Sequence, residues 1–303
     1  MAGTRSRSKP GTTHNRRTAN GVHGWVIAAF GRRFLVELAG GETINCVTHG
    51  KKGGIACGDH VYIAPTGPGQ GVIESLEART SLLYRADAFH EKIIAANVTQ
   101  VIVVVAAYPS FYPDFVNRCL IAAEASGLKT LIVLNKSDMV EETAAAMKSL
   151  TVYRDLGYTV LPLSAKQNVS PLRSFLEQQT SVLVGQSGMG KSSIINALIP
   201  DTEARTAGIS EALDSGRHTT THARLYHLDE ASHIIDSPGM QEFGLRHLSL
   251  NDITHAFVEF RPYLGQCKFA NCKHLSEPQC AVQTAAASGL IDPNRLSAYR
   301  KIA

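Results

Sequence analysis

The chain has 303 residues, 44% hydrophobic and 18% charged, with a formal net charge of +4. That length supports two or three folded units, and the composition is ordinary for a globular protein in water. A membrane-spanning chain is excluded, because the longest purely apolar run, Val101 to Ala107, falls far short of the roughly 20 residues that cross a bilayer.

Residues 1–20 are basic (Arg5, Arg7, Lys9, Arg16 and Arg17) and otherwise rich in Ser, Thr, Gly and Asn. With almost nothing apolar they cannot nucleate a packed element, so a mobile cationic arm is expected. Seven of the 30 Lys and Arg precede the first acidic residue, Glu37, leaving 23 basic against 26 acidic residues beyond. The arm has neither the apolar core of a secretory signal nor the amphipathic face of a transit peptide, and a cytoplasmic, monomeric protein with no membrane partner is expected.

Residues 21–80 read as five short β-rich runs bounded by glycines: WVIAAFG, RFLVELAGG, TINCVTHG, HVYIAPTG and GVIESL. Five such strands predict a small antiparallel barrel of the oligonucleotide/oligosaccharide-binding (OB) type. Barrels of this type commonly bind single-stranded nucleic acid, and the basic arm would add salt-dependent phosphate contacts.

Residues 81–248 change period. Continuous runs (VIVVVAA, LIVL, TVLPL, SVLV, HIID) alternate with helical stretches such as Phe115 to Ser126, with a helix start at Ser170-Pro171 and a stop at Gly127. That pattern predicts a doubly wound α/β domain with a parallel sheet.

The strand LIVL runs into NKSD, Asn135 to Asp138. At the carboxyl end of a strand, Asp138 can accept both N1–H and N2–H₂ of guanine, a donor pair that adenine lacks. Asn135 would brace the loops, the stem of Lys136 would lie over the ring, and Ser137 completes the turn. After the next strand, Ser164, Ala165 and Lys166 would offer backbone N–H groups to guanine O6.

SVLV then leads into GQSGMGKS and an apolar-periodic helix, Ser193 to Ile199. Gly185, Gln186, Ser187, Gly188, Met189 and Gly190 form a phosphate loop, whose backbone N–H groups and helix dipole face phosphate oxygens. Lys191 would be a mobile cation for the β and γ phosphates and Ser192 a ligand of Mg²⁺. DSPG follows strand HIID, where Asp236 can hold the Mg²⁺ shell through water and the Gly239 N–H can meet the γ-phosphate.

Between them lies GRHTTT, in which one of Thr219, Thr220 and Thr221 would complete the Mg²⁺ coordination as a first switch. Base loops that precede the phosphate loop make one site only in a circularly permuted domain.

Residues 249–303 read as helical segments flanking Cys267, Cys272, His274 and Cys280. Three thiols and an imidazole at this density suit structural tetrahedral Zn²⁺ in a reducing compartment. Cys46, Cys57 and Cys119 read as core thiols. No other histidine has comparable company in the sequence, and none is assigned to a metal.

Together with AANVTQ at Ala95 to Gln100, these motifs cover nearly the whole chain, which resembles the circularly permuted ribosome-associated GTPases of bacteria, the ribosome small subunit-dependent GTPase A family. The resemblance implies that Asn135 to Asp138 and Gly185 to Ser193 contact GTP and that the four Cys and His residues hold zinc. It also implies a cytoplasmic late-assembly factor that binds the small ribosomal subunit and its rRNA near the decoding region, is stimulated there to hydrolyse GTP, and leaves.

One position departs from small GTPases in general: Met240 stands where a water-orienting glutamine follows Asp-x-x-Gly, and Gln241 is one residue late. His218 is the catalytic candidate to position the attacking water with rRNA groups. The competing reading leaves it touching RNA or solvent. Two other classes stay open at this level, a P-loop metabolic kinase or ATPase, and a non-hydrolysing nucleotide-regulated RNA-binding module.

Overall fold

The computed structural model describes residues 21–49, 54–86, 91–199, 222–240 and 243–303. The basic arm, and the switch residues His218, Thr219, Thr220 and Thr221, lie outside the described residues, as does Gln241.

Strands β1 (Val22–Phe30), β2 (Arg33–Leu38), β3 (Thr43–Thr48), β4 (His60–Gly67) and β5 (Gln70–Leu76) run in the order β1-β2-β3-β5-β4 and close through β1 with β4. The five strands close into the expected OB-type barrel; its neighbours pair antiparallel except β3 and β5, which run parallel where an antiparallel pair was expected. Strand alternation sends Val26, Phe34, Val36, Ile44, Val61, Ile63 and Ile73 into its core.

A hairpin that the sequence pattern did not reveal follows, β6 (Leu82–Ala86) with β7 (Glu91–Ala96). Asn97, just beyond it, ties it to the barrel: Thr80 N donates to its Oδ1 (2.8 Å) and its Nδ2 donates to the Gly58 carbonyl (2.9 Å).

The next sheet is built from β8 (Gln100–Ala106), β9 (Lys129–Asn135), β10 (Thr159–Pro162), β11 (Thr180–Val184), β12 (Arg224–His227) and β13 (His233–Asp236), in the order β10-β9-β8-β11-β13-β12. The first five in that order pair in parallel, as expected. β12 is antiparallel to β13, a short half-polar strand with no buried-strand signature. It also pairs with β1 (Ala28 opposite Arg224), so the barrel and the parallel sheet share one continuous sheet.

Helices α1 (Pro113–Ala125), α2 (Val140–Asp155), α3 (Ser170–Leu176) and α4 (Lys191–Leu198) cover the parallel strands. Two apolar clusters result. One packs Val101, Val103 and Val105 with α1 and the C-terminal segment, and the other packs Ile102, Val104 and Ala106 with α3 and α4. Opposite-face alternation along β8 thus buries both of its faces, which is why its run is continuous in Val and Ile.

The C-terminal segment has α5 (Leu250–Ala256), a 3₁₀ turn (Val258–Tyr263), α6 (Ala281–Ala287) and α7 (Pro293–Ile302). Ser249 starts α5 with a capping box to Asp252. Among the described residues no helix is long and apolar enough to cross a membrane.

Where the barrel meets the β12–β13 hairpin, His227 Nε2 reaches Glu37 Oε2 (2.5 Å), His227 and His233 share a contact between their Nδ1 atoms (2.9 Å), and Trp25 lies edge-on to His233. Burial, and then the His227 charge, lower the pKa of His233; burial, and then His23, lower that of His60. A histidine whose folded pKa is depressed is protonated first in the unfolded chain, so stability is full above the unfolded value and falls as pH drops below it. The unfolding midpoint is therefore expected to be lower at about pH 5.5 than at about pH 7.5, and His233→Gln is expected to narrow that gap. An equal pH response in the variant would remove His233 from the cause.

Candidate nucleotide site and metal centre

The carboxyl ends of β8, β9, β10, β11 and β13 open on one edge of the sheet, where ligands of doubly wound folds bind. The phosphate loop leaves β11 in the middle of that edge, flanked by β8 on one side and β13 on the other. The base loops after β9 and β10 precede the phosphate loop in the chain yet open on the same edge, as the permutation predicted from the motifs requires.

A cavity of about 310 Å³ at this edge is lined by Asn135, Lys136, Asp138, Ser164, Ala165, Lys166, Gly190 and Ser193, together with Tyr108 and Met139. Asn135 is buried and holds three loops together. Its Nδ2 donates to the Met189 carbonyl (3.0 Å), and its Oδ1 accepts from Lys136 N (2.8 Å) and Ala165 N (3.0 Å). Ala165 N–H is thus part of this brace, at the wall of the cavity that Ala165 lines.

Asp138 accepts from the Ser164 hydroxyl at 2.6 Å, and that bond holds its carboxyl below the usual range. It is a fixed anion at any physiological pH, able to receive two parallel N–H donors. Ser137 N donates to the Leu163 carbonyl (3.1 Å), pinning the turn to the neighbouring loop. Lys136 sits at φ 63°, and its Nζ donates to the Tyr108 and Gly188 carbonyls, both at 2.8 Å. Its stem therefore crosses from the β8 loop to the phosphate loop, and Tyr108, which carried no motif, joins the site as an anchor and a wall.

Gly190 caps α4 at φ 89°, where a Cβ would run into Asn135 Nδ2, so the tight contact between phosphate loop and base loop requires glycine. α4 begins at Lys191, two residues earlier than the sequence reading placed it. Lys191 is 6% exposed, and its Nζ donates to the carbonyls of Gly185 (2.9 Å) and Gln186 (3.1 Å). It is folded onto its own loop rather than mobile. Burial lowers its pKa, and the charge of Asp236 opposes that shift. The Gln186 side chain accepts from Tyr112 N (3.2 Å), and the Met189 side chain is buried in the core, so these two contribute to the loop chiefly through backbone.

Ser192 Oγ donates to Asp236 Oδ2 at 3.1 Å, which joins the phosphate loop to DSPG. Ser237 Oγ donates to the Leu183 carbonyl (2.5 Å) and Met240 N to the Gly185 carbonyl (3.2 Å). Gly239 packs so closely on the loop that a Cβ would lie 3.2 Å from Ser187 Cα. Met240 is 5% exposed and packs in the main core, so its side chain points away from the phosphate side for a structural reason.

The second cluster is built on the turn between the 3₁₀ element and α6. The four ligand atoms of Cys267, Cys272, His274 and Cys280 lie within 4.8 Å of one another. Cys267 and Cys280 Sγ are 3.8 Å apart, and His274 Nδ1 is 3.4 Å from each. A tetrahedral ion with Zn–S of about 2.3 Å needs a sulfur–sulfur edge of about 3.8 Å, so the donors fit. The Glu277 carboxylate accepts Lys273 N and Leu275 N (both 2.9 Å), shaping the loop, and Ala281 N donates to Cys267 Sγ (3.3 Å). Burial pushes the Cys272 thiol up to about 12, a cost that a bound cation reverses.

The RsgA GTPase family matches residues 76–246, which contain every nucleotide motif described above. A curated relative from Nitrosospira multiformis, "Small ribosomal subunit biogenesis GTPase RsgA", is 55% identical over 285 residues, spanning 94% of this chain and 91% of its own. The crystal structure of YjeQ from Thermotoga maritima superposes with a TM-score of 0.69 at 30% identity, covering 92% of this chain and 96% of that one. The structure of YloQ, titled a circularly permuted GTPase, shares the fold at a TM-score of 0.67 and 24% identity, over 97% and 96% of the two chains. On its motif geometry, family match and near full-length relatives, this chain belongs to the RsgA GTPase family.

Proposed function

We propose that the chain binds GTP at the carboxyl edge of the parallel sheet and acts in late maturation of the small ribosomal subunit, with hydrolysis triggering its release. The observation that carries this is the convergence of NKSD, Ser164 to Lys166 and the phosphate loop on one cavity despite their reversed chain order. The names of the relatives as small ribosomal subunit biogenesis GTPases support the partner.

In this reading Asp138 reads guanine, Asn135 and Lys136 hold the base loop against the phosphate loop, and Gly185 to Ser193 cradle the phosphates. When nucleotide arrives, Lys191 has to leave the carbonyls of Gly185 and Gln186 for phosphate oxygens, which are stronger acceptors. Ser192 and Asp236 would hold Mg²⁺, which when bound neutralises developing charge on the phosphates. The four regions 1–20, 21–80, 81–248 and 249–303 would act as basic arm, RNA-docking barrel, GTPase and zinc segment in a cytoplasmic monomer cycling between GTP and GDP.

Met240 cannot orient water, so hydrolysis by the chain alone is expected to be slow and to rise when small subunits are added. Measuring GTP turnover with small and large subunits added separately tests this. Equal rates in all three conditions would sink the ribosomal reading. His218, the sequence candidate for positioning the water, is tested by single-turnover hydrolysis of His218→Ala on saturating small subunits, and an unchanged rate would remove it.

The Cys and His cluster is proposed to hold one tightly bound structural Zn²⁺. Strong chelation is expected to release one equivalent and to melt the C-terminal helices, because the binding energy of a structural zinc is folding energy. Metal analysis with helical circular dichroism reads both, and zinc release without loss of helix would refute a structural role.

A further inference from the structure

Three donor side chains from separate strands meet on the outer face of the barrel. His23 on β1, His60 at the start of β4 and Glu77, directly after β5, each bring a ligand atom within 4.8 Å of the others. Barrel closure causes it. β1 and β4 pair with Trp25 opposite His60 and His23 opposite Tyr62, and Glu77 N donates to the His60 carbonyl at 2.9 Å. Alternation along these strands buries Val26, Val61 and Ile63, which leaves His23, Trp25, His60 and Tyr62 on the outer face.

One pair in the group has the spacing that a shared ion needs. His23 Nε2 lies 3.4 Å from Glu77 Oε1. A tetrahedral ion with metal–nitrogen and metal–oxygen bonds of about 2.0–2.2 Å has ligand edges of about 3.4 Å. The His23 and His60 rings stack 5.4 Å apart at 13°, and His60 Nδ1 is buried with no hydrogen-bond partner among the described residues. The Tyr62 ring stands edge-on beside His23, with ring centroids 5.6 Å apart, and walls the group on one side.

We propose that His23, His60 and Glu77 form a second metal site, distinct from the Cys and His cluster, for an exchangeable borderline divalent ion such as Zn²⁺ or Co²⁺. Two imidazoles and a carboxylate leave a fourth position open, and the side chains of His23 and Glu77 are 47% and 37% exposed, so the ion exchanges with solvent.

The chain contains a single tryptophan, Trp25, stacked on His60 with ring centroids 5.0 Å apart. It reports on this site directly. Untagged chain carrying one equivalent of tightly bound Zn²⁺ is titrated with Co²⁺ while tryptophan fluorescence is followed. Saturable quenching, reversed by added Zn²⁺, is expected. His23→Gln and Glu77→Gln are each expected to weaken the apparent affinity at least about tenfold without changing the unfolding midpoint or GTP turnover. Absence of saturable quenching in the unmodified chain would overturn the proposal, as would unchanged curves in both variants.

Discussion

Asp138→Asn is expected to lower GTP affinity by about 10²–10⁴-fold, the loss of two hydrogen bonds to a charged acceptor at about 1.5–3 kcal/mol each. The structure explains why so much rests on one side chain. Ser164 at 2.6 Å fixes the carboxylate and keeps it ionised, and Asn135 and Lys136 clamp the loop that carries it. Guanine offers two adjacent N–H donors, and an amide meets one of them with its own N–H₂. Xanthine replaces the exocyclic amine with a carbonyl, so the Asn amide can donate to that oxygen and accept from N1–H. The variant is therefore expected to bind xanthosine triphosphate better than GTP, with phosphate-loop chemistry intact. Fluorescent-nucleotide titration checks this. Unchanged GTP affinity would remove Asp138 from base recognition, and loss of both nucleotides together would point to collapse of the loop instead.

The nucleotide motifs were legible because each acts over a few consecutive residues. A phosphate loop needs glycines, a lysine and a hydroxyl in register on one strand-to-helix turn, and NKSD needs one strand end; local spacing carries both. The barrel was legible through its five alternating runs. What stayed hidden depends on residues distant in sequence. Tyr108 enters the site only because β8 lies beside β11, and Lys191 is seen to be buried only once its loop is folded. β12 escaped because a four-residue strand against β1 need not be hydrophobic. His23, His60 and Glu77 have no metal spacing in the chain, and only the closed barrel brings them together.

Arg295 belongs to the same hidden class, and its replacement is expected to be strongly destabilising. It is 2% exposed, on α7, and donates through Nε to Glu259 Oε1 (2.6 Å), through Nη2 to Glu259 Oε2 (3.2 Å) and through Nη1 to Asn117 Oδ1 (2.7 Å). Its guanidinium also lies 4.5 Å from the Phe257 ring centre. Asn117 is on α1 and accepts a second bond from Tyr153 of α2 at 2.9 Å, so one cation joins the C-terminal segment to two helices of the nucleotide-binding sheet.

Arg295→Met would leave the Glu259 carboxylate buried and unpaired, a change that costs about 3–5 kcal/mol. Most of that cost belongs to the orphaned charge rather than to the lost attraction. The double variant Arg295→Met, Glu259→Leu is therefore expected to recover much of the stability in denaturant titrations. Equal destabilisation by the single and double variants would show that packing around Phe257 and Tyr153, and not the charge, is what the arginine maintains. Because α1 follows directly from the loop bearing Tyr108, the single variant should also loosen the wall of the guanine cavity and weaken GTP binding, while the double variant restores affinity only as far as Asn117 keeps its place.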